Sequence, residues 1–155
     1  SIVMSGLNLE RAYFATIAIG MAERALDLSL DYARSRRQFG KAIGEFQIVQ
    51  AKLADMYVGL ESMRSFVYRA VAAANDLETG GGGRGEIHKL TAAALLHAGK
   101  TCVQILDEAV QIHGGSGLMW EMEVNRLYRA GKLLEIGGGT NEVRRIIISG
   151  ELLKA

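Results

Sequence analysis

The segment EIGGGTNEVRR, Glu135 to Arg145, sets three consecutive glycines between an apolar stretch and the start of a charged helix. Glycine lets a backbone approach a ligand closely, and a helix N-terminus offers N–H groups to phosphate or ribose oxygens. As an active-site loop it lacks one thing: neither Gly138 nor Gly139 carries a group that moves protons. Taken alone, the loop is a flexible hinge, with Thr140 as a cap for the helix that follows. Near the other end of the chain, SGLNLER holds Glu10, a carboxylate of the type used for general-base work. Its local reading is plainer: an acid in the first turn of a helix, favoured by the macrodipole, with Asn8 as the cap and Arg11 as a solvated charge. HGGSG, His113 to Gly117, ends a helix with residues that tolerate positive φ, and by itself only turns the chain.

Other chemistries find little support. His88, His97 and His113 lie nine and sixteen residues apart with no second ligand type at metal-site spacing, so no metal is expected. Cys102 is alone, which excludes an internal disulfide and fits a reducing compartment. A net charge of +1 with scattered basic residues gives no footprint for nucleic acid or an anionic membrane. No apolar run approaches the ~20 residues that span a bilayer, and no N-terminal signal pattern is present. The chain reads as soluble.

These residues must be positioned by helices, because helical periods run through nearly the whole chain and strand alternation is not evident. At 155 residues, 49% of them hydrophobic, the chain can bury the core of one domain, 1–155. A first helix is expected from about Asn8 to Ser35, with Tyr13, Ile17, Met21, Ala25, Leu28 and Tyr32 on its apolar stripe. Val49, Leu53, Met56, Leu60, Met63, Val67, Ala70 and Ala74 repeat at steps of four and three, marking a second long helix. Ile87, Leu90, Ala94, Ala98, Thr101, Ile105, Ala109 and Ile112 mark a third. TGGGGRG, Thr79 to Gly85, separates these two as a flexible connection. Shorter helices are expected at about Val124 to Leu134 and Asn141 to Leu153. Together they predict an all-α fold: an antiparallel up-and-down four-helix bundle with short additional helices. His113, Trp120 and the methionines read as core or subunit-interface residues. A bundle does not choose its own function.

Four segments in order narrow the choice: SGLNLER, RRQFGKAIGEFQ (Arg36 to Gln47), VQIHGGSG (Val110 to Gly117) and GGTNEVRR (Gly138 to Arg145). Together they resemble the C-terminal helical domain of the flavin-dependent acyl-CoA dehydrogenases, over nearly the whole chain. The combination is far more specific than any one segment. The resemblance implies α,β-dehydrogenation of an acyl-CoA thioester: a carboxylate removes the α-proton, the β-hydrogen leaves as hydride to FAD, and hydrogen bonds polarise the thioester carbonyl. Many members carry the catalytic glutamate at the position matching Gly138. A smaller group keeps a small residue there and places the glutamate on the domain's first helix, at the position matching Glu10. On this resemblance Glu10 is the catalytic base, and Leu7, Asn8, Arg11, Gly138 and Gly139 face the substrate.

For FAD, the resemblance implies contacts from Arg36, Phe39, Gln47, Gln111, Gly114, Gly115, Thr140 and Glu142. Arg36 and Phe39 usually reach the flavin of a neighbouring subunit, and a guanidinium fork suits a diphosphate. By spacing alone Gln47 is an ordinary polar residue at a helix start. The resemblance further implies a homotetramer, an electron-transfer flavoprotein as electron acceptor, and a mitochondrial-matrix or bacterial-cytoplasmic setting. It favours a short branched acyl-CoA substrate. A long-chain substrate, an oxidase-like reaction with dioxygen and a non-catalytic assembly module are the alternatives. The family's N-terminal helical and middle β domains are absent from this chain, so alone it is expected to bind FAD poorly and not to turn over. YRAGK, Tyr128 to Lys132, departs from the family pattern at Ala130 and Gly131, where an acidic residue and alanine are common.

Overall fold

The computed structural model describes residues 2–75 and 84–154; of the expected connection Thr79 to Gly85, all but Arg84 and Gly85 lies outside the described residues. Helix α1 (Ile2–Ser35) leads through a two-residue hairpin, β1 (Arg37–Gln38) and β2 (Lys41–Ala42), to α2 (Gln47–Asn75). Then come α3 (Glu86–His113), α4 (Glu123–Gly131), α5 (Leu133–Ile136) and α6 (Asn141–Leu152). Single 3-10 turns follow β2 and α3.

Side-chain pairs fix the directions. Tyr13 meets Asn75 at 2.7 Å and Glu23 meets Arg64 at 2.9 Å, so α1 and α2 are antiparallel. Lys52 to Glu108 at 2.5 Å and Ser62 to His97 at 3.3 Å make α2 and α3 antiparallel. Asn8 lies beside His88, and Tyr32 stacks on His113 with ring centroids 4.3 Å apart, so α1 and α3 run parallel. Helix α6 returns along α3: its first turn flanks Lys100, and Glu151 near its end accepts from the Gly85 backbone. The result is the expected up-and-down bundle.

The α2 stripe buries as expected from Met56 to Ala74, with Val49 and Leu53 half-buried at its start. Fully burying a side chain such as Met63 or Val67 is worth about 1.5–3 kcal/mol. Helix α3 lies at the centre, touching α1, α2, α4 and α6, so it buries Leu95, Cys102 and Leu106 beyond a single stripe.

Helix α1 departs from expectation twice. It starts at Ile2 rather than near Asn8, so Asn8 is no cap: it is 0% exposed and bonds across to α3. Glu10 therefore sits beyond the first turn, where the macrodipole has faded. The stripe also turns, leaving Tyr13 and Ile17 47% and 49% exposed. Ala25 is buried, and Met21, Leu28 and Tyr32 pack on the core as expected; Ala12, Ala15, Ala18, Ile19, Ala22 and Leu26 complete the buried face, its alanines bringing α3 close.

The hairpin was not visible as strand alternation because each strand has two residues. Its turn, Phe39–Gly40, has φ of 51° and 84°, the sign both central residues need in a type I′ turn. The expected helix at Val124 to Leu134 is two, α4 and α5, parted at Lys132 after Gly131, a poor helix former packed against Leu106. Trp120 is exposed, its ring 3.6 Å from the Arg129 guanidinium, and so is not core within this chain.

Candidate functional site

The candidate residues fall at two ends of the bundle. Arg36 is 28 residues along from Asn8, on or just past α1, which at 1.5 Å per residue is roughly 40 Å. One chain cannot close both groups around one ligand.

At the first end, the glycine loop packs on α1. Gly138 and Gly139 have φ of 67° and 95°, the left-handed region that glycine enters without penalty. A Cβ on Gly138 would sit 3.4 Å from Leu95 and about 4 Å from Phe14 and Arg11. Phe14 lies one turn beyond Glu10 on the same helix, so the exposed Glu10 carboxylate belongs to the side of α1 that meets the loop. Thr140 caps α6, its hydroxyl accepting from Val143 N–H at 3.4 Å. Glu142 is exposed, and hydrogen bonds to its own backbone N–H and to Thr140 hold its carboxyl below the usual range.

Arg11 is not a solvated charge: it is 5% exposed. Its Nε donates to Gly138 O at 3.2 Å and its NH1 to Asn8 Oδ1 at 3.4 Å. His88 Nδ1 lies 2.8 Å from the same oxygen, and an amide oxygen only accepts, so Nδ1 carries the ring proton. NH1 is also 3.4 Å from Nδ1, but two donors cannot bond, so Asn8 Oδ1 takes both. Burial, then the Arg11 charge, lowers the His88 pKa and keeps the ring neutral. Burial lowers that of Arg11 as well, partly offset by Glu10. Leu7 is half-buried on the same stretch.

Sequence reasoning missed the second cation here. Arg144 is 0% exposed and donates to Leu134 O and to Asn141 Oδ1, each at 2.8 Å, and to Gly137 O. Asn141, Arg144 and Ile148 recur at helical spacing, so the period of α6 already placed an arginine inward. Gly99 was missed too: a Cβ there would fall 2.8 Å from Leu134 O, so its bareness lets α5 lie against α3.

At the second end, Phe39 tips the hairpin, 92% exposed in a left-handed conformation that costs a side-chain-bearing residue about 1–2 kcal/mol. Arg36, Gly114 and Gly115 line an open groove of about 350 Å3 with Tyr32 and His113. A Cβ at Gly114 or Gly115 would meet nothing within 4 Å, and no acceptor among the described residues engages the Arg36 guanidinium. Gln47 opens α2 and Gln111 lies in the last turn of α3, both exposed. An exposed fork beside bare backbone is suited to a diphosphate. His113 is buried against Tyr32, and its Nδ1–H donates to Ala109 O at 2.8 Å, a core role.

Among the described residues no three His, Cys, Asp or Glu gather as a metal site, and no helix is long and apolar enough to cross a membrane. Cys102 is buried, its thiol pushed up to about 12 by desolvation.

By architecture this is an all-α up-and-down helical bundle. The family model "Acyl-CoA dehydrogenase, C-terminal domain" matches residues 1–153, and the chain belongs to that family. It is 46% identical over 153 residues to mitochondrial isovaleryl-CoA dehydrogenase of Oryza sativa subsp. japonica, covering 99% of this chain and 36% of that one. It is 37% identical over 151 residues to a subunit, CarC, of the caffeyl-CoA reductase–Etf complex of Acetobacterium woodii, covering 97% and 38%. The solved butyryl-CoA dehydrogenase of Megasphaera elsdenii superposes with a TM-score of 0.89 at 36% identity, covering 97% of this chain and 38% of that one. The chain thus spans little more than a third of the length of the relatives it matches.

Proposed function

We propose that this domain forms one wall of an enzyme that dehydrogenates a short branched acyl-CoA of the isovaleryl type, with Glu10 as the base. Glu10 takes the α-proton, the β-hydrogen leaves as hydride, and the electrons of the broken α-bond become the second bond of the enoyl-CoA product. FAD, when bound, supplies the hydride acceptor. One observation carries the reading: Arg11 ties the carboxylate-free Gly138 turn to the helix turn that bears Glu10. A base on α1 and a bare loop opposite it then belong to one site.

The remaining roles follow from exposure. Among the described residues the N–H groups of Gly138 and Gly139 find no backbone acceptor and are free to bond the thioester oxygen. Leu7 borders the α1 side of that pocket, while Asn8 and Arg11, expected to face the substrate, are buried behind it and hold its wall in place. Thr140 and Glu142, at the start of α6, border FAD within the same subunit. Arg36, Phe39, Gln47, Gln111, Gly114 and Gly115 hold the diphosphate and adenosine of a neighbouring subunit's FAD, which accounts for the roughly 40 Å separation. That exchange calls for a homo-oligomer, read as a tetramer. An electron-transfer flavoprotein is the proposed acceptor, in keeping with the Etf-complex relative, and the setting is the mitochondrial matrix or bacterial cytoplasm. The N-terminal helical and middle β domains complete the site, so this chain alone does not turn over.

Glu10→Gln in the complete, FAD-loaded protein tests the base. Turnover lost with the flavin spectrum retained supports it. Unchanged turnover removes it and leaves a non-catalytic assembly module. Comparing isovaleryl-CoA with long-chain thioesters, and dioxygen with an electron-transfer flavoprotein as oxidant, separates the dehydrogenase reading from long-chain and oxidase-like ones.

A further inference from the structure

The reaction described above leaves one buried charge unused. Arg144 grips the turn from beneath α6, and its Nε, also buried, finds no partner among the described residues. No carboxylate stands among its hydrogen-bond partners, so its charge is hidden from water at a cost that closing a glycine turn does not require. Neutral donors would hold Leu134 O and Gly137 O as well. Arg11 grips Gly138 O from α1, and the two cations repel. Desolvation first and that repulsion second, partly offset by the Glu135 and Glu142 carboxylates, push the Arg144 pKa down to about 10, which still leaves it charged at neutral pH.

The peptide geometry gives these charges a direction. Among the described residues no peptide is cis, and in a trans peptide the N–H points opposite the C=O. Arg144 holds the carbonyl of the Gly137–Gly138 peptide, so Gly138 N–H faces away from Arg144. Arg11 holds the carbonyl of the Gly138–Gly139 peptide, so Gly139 N–H faces away from Arg11. A carbonyl that accepts from a cation makes its own N–H a stronger donor, and a low dielectric keeps the effect large.

We propose that Arg144 is a positioning residue that acts through the Gly137–Gly138 peptide, as Arg11 does through the next, to strengthen the N–H donors facing an acyl thioester oxygen as it gains negative charge. The inference rests on the acyl-CoA reading above. It makes the glycine turn a relay: cations inside, polarised peptides between, thioester oxygen outside. Leu134 O and Asn141 Oδ1 hold the guanidinium in register.

The test uses the full-length, FAD-loaded protein and pivaloyl-CoA carrying a 13C carbonyl, a branched thioester whose α-carbon has no hydrogen to lose. In the wild type, binding should lower the carbonyl stretching frequency. In Arg144→Met the stretch should return most of the way to its free value. With isovaleryl-CoA, kcat should fall about ten- to a hundredfold, less than for loss of a direct oxyanion donor, with KM within about threefold. Arg144→Lys, which keeps the cation but not the fork, should recover part of both. A wild-type-like stretch in flavin-loaded Arg144→Met overturns the inference even if kcat falls, since a purely structural role would leave the folded site's polarisation intact. If Arg144→Met does not retain flavin, the stretch in Arg144→Lys decides: unshifted from wild type, it overturns the inference. No shift on binding to the wild type would sink the acyl-CoA reading itself.

Discussion

The two ends of the bundle hold the same kinds of residue in opposite states. At the glycine-loop end, arginine is buried and each of its charges is aimed at a backbone carbonyl of the same chain. At the hairpin end, Arg36 and Phe39 are exposed, and Phe39 is held in a conformation that disfavours side chains. One end is organised by its own chain; the other presents its groups to solvent, as the proposed contact with a neighbouring subunit's FAD would need. On the proposed reading, a single domain separates pre-organisation from recognition by the length of α1.

Substitutions can break that contrast. The largest effect is expected for Glu10→Gln in the full enzyme: kcat lower by about 10²–10⁴, the range for losing a general base, read by stopped-flow flavin bleaching with binding of substrate retained. Arg11→Ala comes next. It leaves Gly138 O and part of the Asn8–His88 pair without a donor and should cost about 2–4 kcal/mol, measured by thermal or urea unfolding. A loss below about 1 kcal/mol would show that the loop end does not depend on its buried charge.

Phe39→Gly sharpens the contrast from the other end. Relief of the left-handed conformation should raise stability by about 1 kcal/mol, while FAD retention in the oligomer weakens severalfold on dilution. Stability and cofactor retention moving together would contradict the separation of roles.

The smallest effect concerns pH. His88 and His97 have lowered pKa values, by burial first in both, so the unfolded chain binds more protons near their ordinary value. Stability should therefore rise with pH through about 6.5 and fall as the medium is acidified below it. His88→Gln should flatten part of that slope in melting temperatures taken from pH 7.5 to 5.5.

The long periodic helices were readable because their cores recur without interruption, as from Met56 to Ala74. The start of α1 was not, since Asn8 looks like a cap until His88, eighty residues away, is seen to take its side chain. The start of the α1 stripe was not readable either: Tyr13 and Ile17 are exposed because close packing on α3 selects alanine there, while Met21, Ala25, Leu28 and Tyr32 pack on the core as expected. The hairpin was too short for alternation to register. At the site, the motifs drew attention to Gly138, Glu10 and Arg36, but no local rule announces that Arg11 and Arg144 are buried, since arginine is normally a surface residue. Only the inward spacing of Asn141, Arg144 and Ile148 carried a hint.

Helix α1 has one further consequence. Its 34 residues form an unbroken rod of about 50 Å that carries Glu10 near one tip and passes into the Phe39 hairpin at the other. On the proposed reading, the rod is a ruler between Glu10 in one active centre and the cofactor contact of another in the assembly. It is a ruler with a phase: one residue inserted between Glu10 and Ser35 would lengthen it by about 1.5 Å and rotate its tips by about 100° relative to each other. The exposed face of this helix can vary, but in the proposed oligomer its residue count is tied to the spacing between active centres.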